Sequence, residues 1–331
     1  MSTTDRIWAR LPAGTRAALA GLPPTDLQSL LIDLSRDRAA TVTPARLAQR
    51  WEADRFVQPA TLDPADLSAV VTRLWQLLPD TFAGVELSPV TPLGTCAAVG
   101  AADQNRVLGT VRTVEVVSDL TNVLALEAAR RRRTSGAAVH LAACHRLLRT
   151  QRFPDGWSNH FQLFALVSSD RDRGSGRTEA ALLTAHLSYW QSVLSTVLPG
   201  HAVEVRYSAF DNPALEERYR DTVLPAVTGA ADPATTTSIT WRPDHDRTRA
   251  RGYYRSGALL FTAGGIELGD GGFTDWTAQL LADRKERCLI SCLSTEALLR
   301  LTREHSVMDG PRTVDPGAPQ RPREPRPVRS R

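Results

Sequence analysis

Between Asp63 and Phe82 the apolar side chains Leu67, Val70, Val71, Leu74, Trp75 and Leu78 recur at the i, i+3, i+4 spacing of one helix face. Asp63 supplies a capping oxygen and Pro64 fits the first turn, so the helix starts there and Gly84 closes the segment. Earlier in the chain, Leu27, Leu30, Leu31 and Leu34 line a second helix after Thr25, and Leu47 and Trp51 lie one turn apart after a Thr-Pro start. Residues 1–60 therefore read as a small helical region.

Beyond Gly84 the period changes. VELSPVTP and RVLGTVRTVEVVSD read as extended, and TNVLALEAARRRR reads as a helix capped by Asp119 or Thr121. Its terminal arginines suit the negative end of a helix. Residues 144–167, CHRLLRTQRFPDGWSNHFQLFALV, form two apolar runs around a polar, arginine-rich loop, the pattern of an antiparallel strand pair. TEAALLTAHLSYWQSVLSTVLP is helical and AVEVRYS a strand. After a Pro/Thr-rich insert come GYYRSGALLFTAGG, IELGDGGFTDWTAQLL and CLISCLSTEALLRL. Strands separated by long excursions, without regular alternation with helices, predict an α+β fold with a mostly antiparallel sheet. Residues 304–331, rich in Pro and Arg, are expected to be disordered.

At 331 residues the chain can hold one large core with an accessory element. With 42% hydrophobic and 23% charged residues it has the composition of a globular protein. No apolar run reaches the roughly 18 residues of a membrane span, so no membrane partner is expected. MSTTDRIWARLPAG lacks a secretory apolar region, and the four cysteines (Cys96, Cys144, Cys288, Cys292) have neither disulfide-framework nor zinc spacing. They read as core thiols of a cytoplasmic protein with no protein-held metal. Much of the +4 net charge lies in PGAPQRPREPRPVRSR, which leaves a nearly neutral body without a general nucleic-acid footprint. There is no Walker A or dinucleotide glycine motif.

The order of the pieces from about residue 61 to 303 resembles the catalytic core of class II aminoacyl-tRNA synthetases, closest to the group of histidyl-tRNA synthetase and the ATP phosphoribosyltransferase regulatory subunit. That resemblance implies a six-stranded antiparallel sheet flanked by helices, a homodimer, and formation of an acyl-adenylate from ATP, with Mg2+, and a carboxylate. Helix 64–79 followed by GVELSPVTP is similar to the first family motif, at the dimer interface. VVSDLTNVLALEAA resembles the amino-acid-binding segment, with Asp119 and Thr121 at the positions that hold the α-ammonium; helix capping explains the same two residues. In 144–167, similar to the second motif, Arg146 falls on the α-phosphate arginine, Phe161 on the adenine-stacking aromatic and Gln162 on an amino-acid contact. Arg146 and Phe161 are expected to face one nucleotide, and Arg146→Ala to abolish ATP binding with little change in melting temperature. Leu148 replaces the acidic residue two positions after that arginine.

RARGYYRSGALLF resembles the histidyl group's Arg-Gly-x-Asp-Tyr-Tyr-x-Gly segment, which assigns Arg249 to the substrate carboxylate and α-phosphate and adds Tyr253, Tyr254 and Gly257. GDGGFTDWTAQLL keeps Gly271, Gly272 and Asp275 of a Gly-Gly-Arg-Tyr-Asp segment but has Phe273 for the arginine. CLISCLSTEALLRL is similar to the third motif and keeps Glu296, an ATP-binding position. Ser294 and Ala297 replace its glycine and arginine, and Arg300, Arg284 and Arg287 are the candidate substitutes. Leu166, at the position of the imidazole-recognising glutamate, argues against histidine as substrate. No anticodon-binding domain follows, so the expected acceptor is a small molecule or protein carrier rather than tRNA. The alternative is a non-catalytic, ligand-sensing paralogue similar to the regulatory subunit.

Overall fold

Strands with no polar alternation need cover on both faces, and QLFALVSS has none. In the computed structural model, which describes residues 2–100, 103–153, 157–229 and 236–308, both faces are covered. The strands are β1 (Ala83–Gly84), β2 (Val90–Pro92), β3 (Val114–Val116), β4 (Val139–Leu148), β5 (His160–Arg171), β6 (Ala202–Ala209), β7 (Ser238–Pro243), β8 (Gly257–Ala263), β9 (Ile266–Thr274) and β10 (Glu286–Ser294). They form one sheet of order β1-β4-β5-β10-β9-β8-β6-β7 and a separate β2-β3 pair.

The six inner strands are antiparallel throughout, as expected. The sheet is nevertheless eight-stranded, because β1 joins β4 and β7 joins β6 in parallel at the two edges. Two residues in β1 are too few to show a period, and in β7 the alternation is only Ile239 and Trp241, at the end of a Pro/Thr-rich insert. Most of RVLGTVRTVEVVSD is loop; Val114–Val116 pairs with β2, and Gly109 forms a single bridge to Glu115.

The helices are α1 (Thr3–Trp8), α2 (Thr15–Ala20), α3 (Pro24–Ala40), α4 (Pro44–Ala53), α5 (Pro64–Gln76), α6 (Thr95–Ala98), α7 (Leu120–Thr134), α8 (Arg177–Val197), α9 (Pro213–Arg218), α10 (Leu224–Gly229), α11 (Trp276–Leu281) and α12 (Thr295–Met308). Helix α12 enters the stretch read as tail; residues 309–331 lie outside the described residues. Helices α1 to α4 bury no side chain, and Leu30, Leu31, Leu34, Leu47 and Trp51 stay exposed.

Strand alternation divides the core. Even-numbered Phe164 and Leu166 of β5 pack with Trp190, Tyr189 and Leu298 under α5, α8 and α12. Odd-numbered Leu163, Ala165 and Val167 pack with Leu124, Ala128 and Trp276 under α7 and α11. Arg132, in the arginine run, is buried and ties the end of α7 to Glu286 of β10 at 2.7 Å.

A polar chain crosses the α8 side. His186, fully buried, sits between Ser168 Oγ and Ser291 Oγ, each 2.8 Å from a ring nitrogen, and Trp190 Nε1 donates to Ser291. Burial, with the nearby His140 adding to it, holds His186 well below its ordinary pKa. A depressed histidine pKa means that only the unfolded state takes the proton as pH falls through about 6.5. Stability contributed by His186 is therefore full above that value and lost progressively below it. Urea midpoints should fall between about pH 7.5 and 5.5 in the native protein and fall less in His186→Asn.

Candidate functional site

On the α7 side a cleft opens between β5, β9, β10 and the loop after β4. One of its cationic residues is Arg149, one position beyond β4. Arg149 Nε donates to Ser118 O at 2.8 Å, its Nη2 lies 3.6 Å from Asp119 Oδ2, and the guanidinium stands 5.4 Å from the centre of the Phe161 ring. The hairpin that carries it is held at its base. Asn159 Nδ2 donates to the carbonyls of Arg149 and Gln151, and Arg55, from the N-terminal region, donates to Thr150 O at 2.6 Å and Gln151 O at 3.1 Å.

Two cavities share Arg149, Arg249, Asp270 and Cys292. One, of about 280 Å³, is walled by Phe153, Trp157 and Phe161, with Glu267 at its rim. The other, of about 240 Å³, holds Asp119, Thr121, Tyr253 and Tyr254. Arg249 is clamped by both carboxylate oxygens of Glu267, at 2.6 and 2.9 Å. Tyr253 stands edge-on to Tyr254 and Trp276. Burial first, then neighbouring negative charge, holds both tyrosines far above the usual phenol range, so both keep their phenol protons. Burial also pushes the Asp270 carboxyl up, and Glu267 adds to the shift. A desolvated carboxylate of this kind favours a cationic partner.

The sequence-derived residues fall into two groups. Asp119, Thr121, Phe161, Arg249, Tyr253 and Tyr254 meet at this cleft. Asp119 is also the α7 cap, since its Oδ1 accepts from Thr121 N at 3.0 Å and Thr121 Oγ1 at 2.6 Å. That oxygen serves the capping reading, while Oδ2 is the one nearest Arg149. Arg146, Gln162 and Glu296 gather on the opposite face. Arg146 and Gln162 are register partners and point the same way, whereas Phe161 is one residue removed and points the other way. Arg146 pairs with buried Glu296 at 2.9 Å and contacts His160 Nδ1 at 3.0 Å; Gln162 Oε1 accepts from Thr295 at 3.1 Å. Arg146 and Phe161 thus do not face one ligand, and Arg149 stands beside the aromatic instead.

The glycine pair is also placed differently. A Cβ on Gly272 would lie 2.4 Å from the Tyr254 ring, so this glycine seats the tyrosine. Gly271 faces the α8 side, where a Cβ would come within 2.5 Å of Ile290 O. Gly269, two residues earlier, is the one at the cleft. Arg149 and Asp270 escaped the sequence reading. Counting strand parity back from Phe161 would have favoured Arg149, and Asp270 adjoins the matched glycines.

No family profile matches the sequence, and no curated protein does. Solved structures match the fold. An ATP phosphoribosyltransferase regulatory subunit/histidyl-tRNA synthetase from Bacillus halodurans C superposes with a TM-score of 0.56 at 11% identity, over 75% of this chain and 82% of that one. Apo histidyl-tRNA synthetase of S. aureus gives 0.55 at 12%, over 75% and 69%. Histidyl-tRNA synthetase from Nostoc sp. PCC 7120 gives 0.52 at 13%, over 76% and 75%. The fold is that of a class II aminoacyl-tRNA synthetase catalytic core.

In this synthetase-like core, Ala297 is completely buried among apolar side chains, a place that could not hold an arginine head group. One turn on, Arg300 lies 4.3 Å from the centre of the Trp157 ring, at the cleft wall. Of the other candidate substitutes, Arg287 is tied to Asp172 and Glu179, at the far end of β10. Among the described residues no helix is long and apolar enough to cross a membrane, and no cluster of three metal-ligating side chains occurs.

Proposed function

We propose that this protein binds ATP and an amino-acid-like acid in the α7-side cleft and joins them as an acyl-adenylate, for transfer to an acceptor other than tRNA. The observation that carries the reading is Arg149 standing over Phe161 in the cleft that also holds Asp119, Tyr253 and Asp270. A purine suits the aromatic wall, and a guanidinium fork suits phosphate oxygens. Arg249, held rigid by Glu267, faces both cavities and would orient the substrate carboxylate. Asp119 and Asp270 would take the ammonium, whose N–H groups need charged acceptors. Mg2+ would arrive with the nucleotide and neutralise phosphate charge, held mainly by phosphate oxygens and water.

The chemistry needs no covalent protein intermediate. The carboxylate oxygen attacks the α-phosphorus in line, the bond to the bridging oxygen breaks, and pyrophosphate leaves with that electron pair. Fixed guanidinium groups stabilise the charge that builds on the phosphorus oxygens. If Arg149 is the second-motif arginine, Gln151 rather than Leu148 stands two positions on, and it reaches the cleft region as a neutral replacement for the acid.

A second reading, a ligand-sensing paralogue without catalysis, is favoured by buried Ala297. Amino-acid-dependent exchange of labelled pyrophosphate into ATP decides between them. Exchange with at least one acid is expected; ATP binding by calorimetry without exchange would establish the sensor instead. The homodimer is part of the same proposal, with α5 at its interface, and sedimentation of the full chain tests it.

A further inference from the structure

We infer that the acid taken by this protein carries a small, uncharged polar substituent, a carboxamide or hydroxyl, which enters a pocket beyond Asp119 and pairs with the side chain of Asn122. The inference rests on the acid-binding reading of the cleft and names the class of acid. A third space of about 160 Å³ shares Asp119, Arg149 and Tyr253 with the 240 Å³ cavity. Its floor is Asn122, Ser118 and Cys96.

Asn122 is 2% exposed, and among the described residues its Oδ1 has no hydrogen-bond partner. Its Nδ2 faces Cys96 Sγ at 3.4 Å, and that sulfur is already 2.9 Å from Ser118 Oγ. Turned either way, the amide leaves one polar end unpaired in a cavity. Buried polar groups of that kind are rare unless something binds them. Gly100 keeps the space open, since a Cβ there would lie 2.8 Å from Asn122 Nδ2.

The floor also excludes other classes. The buried floor carries no charged group; exposed Arg106 also lines the space, and Arg149 and Asp119 face each other at 3.6 Å. An ionised substituent would lose its hydration without a counter-ion at the floor. An alkyl substituent would fill the space and leave Asn122 unpaired, the kind of mismatch by which polar pockets discriminate by orders of magnitude.

The test uses the full chain with Mg·ATP and a panel of acids, read by calorimetry and by pyrophosphate exchange. Asparagine, glutamine, serine and threonine are set against aspartate, glutamate, leucine and norvaline. The best amide or hydroxyl acid should exceed its charged and alkyl counterparts by at least about tenfold, and Asn122→Leu should erase that preference while ATP affinity stays within about twofold. An alkyl or charged acid ranking first in the native protein, or Asn122→Leu keeping the native ranking, overturns the inference. Should Asn122→Leu fail to fold, the native ranking decides alone. If ATP binds but the acids rank otherwise, only this inference falls; if neither ATP nor any acid binds, the adenylation reading falls with it.

Discussion

Alanine in place of Arg149 is expected to lower ATP affinity by one to two orders of magnitude while moving the melting temperature by only a few degrees. A charge-assisted hydrogen bond to phosphate is worth about 1.5–3 kcal/mol, and each 1.4 kcal/mol is roughly tenfold in affinity. The guanidinium's place over Phe161 adds about 0.5–1 kcal/mol to holding a base and phosphate together. What Arg149 contributes to the fold is small. Its partner Asp119 is partly exposed and 3.6 Å away, and such pairs contribute at most about 1 kcal/mol. Its one backbone acceptor, Ser118 O, costs about as much to lose.

Arg146→Ala should do the reverse. It leaves the Glu296 carboxylate, 4% exposed, without its ion pair, at a cost of about 2–3 kcal/mol, while the nucleotide cavity on the other face is untouched. Calorimetry with ATP beside thermal melts of the two variants separates the effects. Binding lost in Arg146→Ala and kept in Arg149→Ala would put the nucleotide on the α12 side of the sheet.

That pair of variants also marks where the sequence was legible. The order of helices and strands carried the fold, because long periodic segments such as Pro64–Gln76 and the apolar β5 declare themselves. The edges β1 and β7 did not, since a strand at an edge needs neither length nor an apolar face. The site was half legible. Asp119, Phe161, Arg249 and the two tyrosines converge because each sits at a capped helix start, a strand end or a turn that the chain's own pattern places. Arg146 was read from its order in the motif, but a single-residue shift along a strand reverses the face. Arg146 shares its face with Gln162, and the sheet thickness separates both from Phe161. Glu296 looked like a ligand by position, yet α12 turns it onto Arg146. Asn122 offered no signal at all: one more polar residue in the first turn of a helix, it becomes distinctive only once Oδ1 is seen to be buried and unpaired.

Asp270→Asn should abolish most acid binding without destabilising the protein. Asp270 lies at the cleft beside Cys292, its register partner on β10, and shares a cavity with Tyr254. Burial raises its pKa above the ordinary 3.8, with Glu267 pushing the same way and Arg247 opposing. A carboxylate so desolvated is a cost to the free protein and an asset once a cation arrives, since the ammonium restores what burial removed. Replacing it by the isosteric amide removes the charge–charge part of that contact, about 1.5–3 kcal/mol or roughly 10–150-fold in affinity. The same replacement ends the desolvation cost, so the melting temperature should hold or rise.

The pH dependence follows with a definite sign. On the proposed reading the ammonium pairs with the ionised carboxylate, so protons compete, and native affinity for the acid should weaken as pH falls toward the raised Asp270 pKa. An ordinary aspartate would show that loss only nearer its usual value. Asp270→Asn should lose the part of the pH dependence that Asp270 contributes. Calorimetric titrations from about pH 8 down to 5 read both curves. Equal affinity and equal slope in the two proteins would place the ammonium on Asp119 alone, and would leave the raised Asp270 as a consequence of burial with no ligand to answer it.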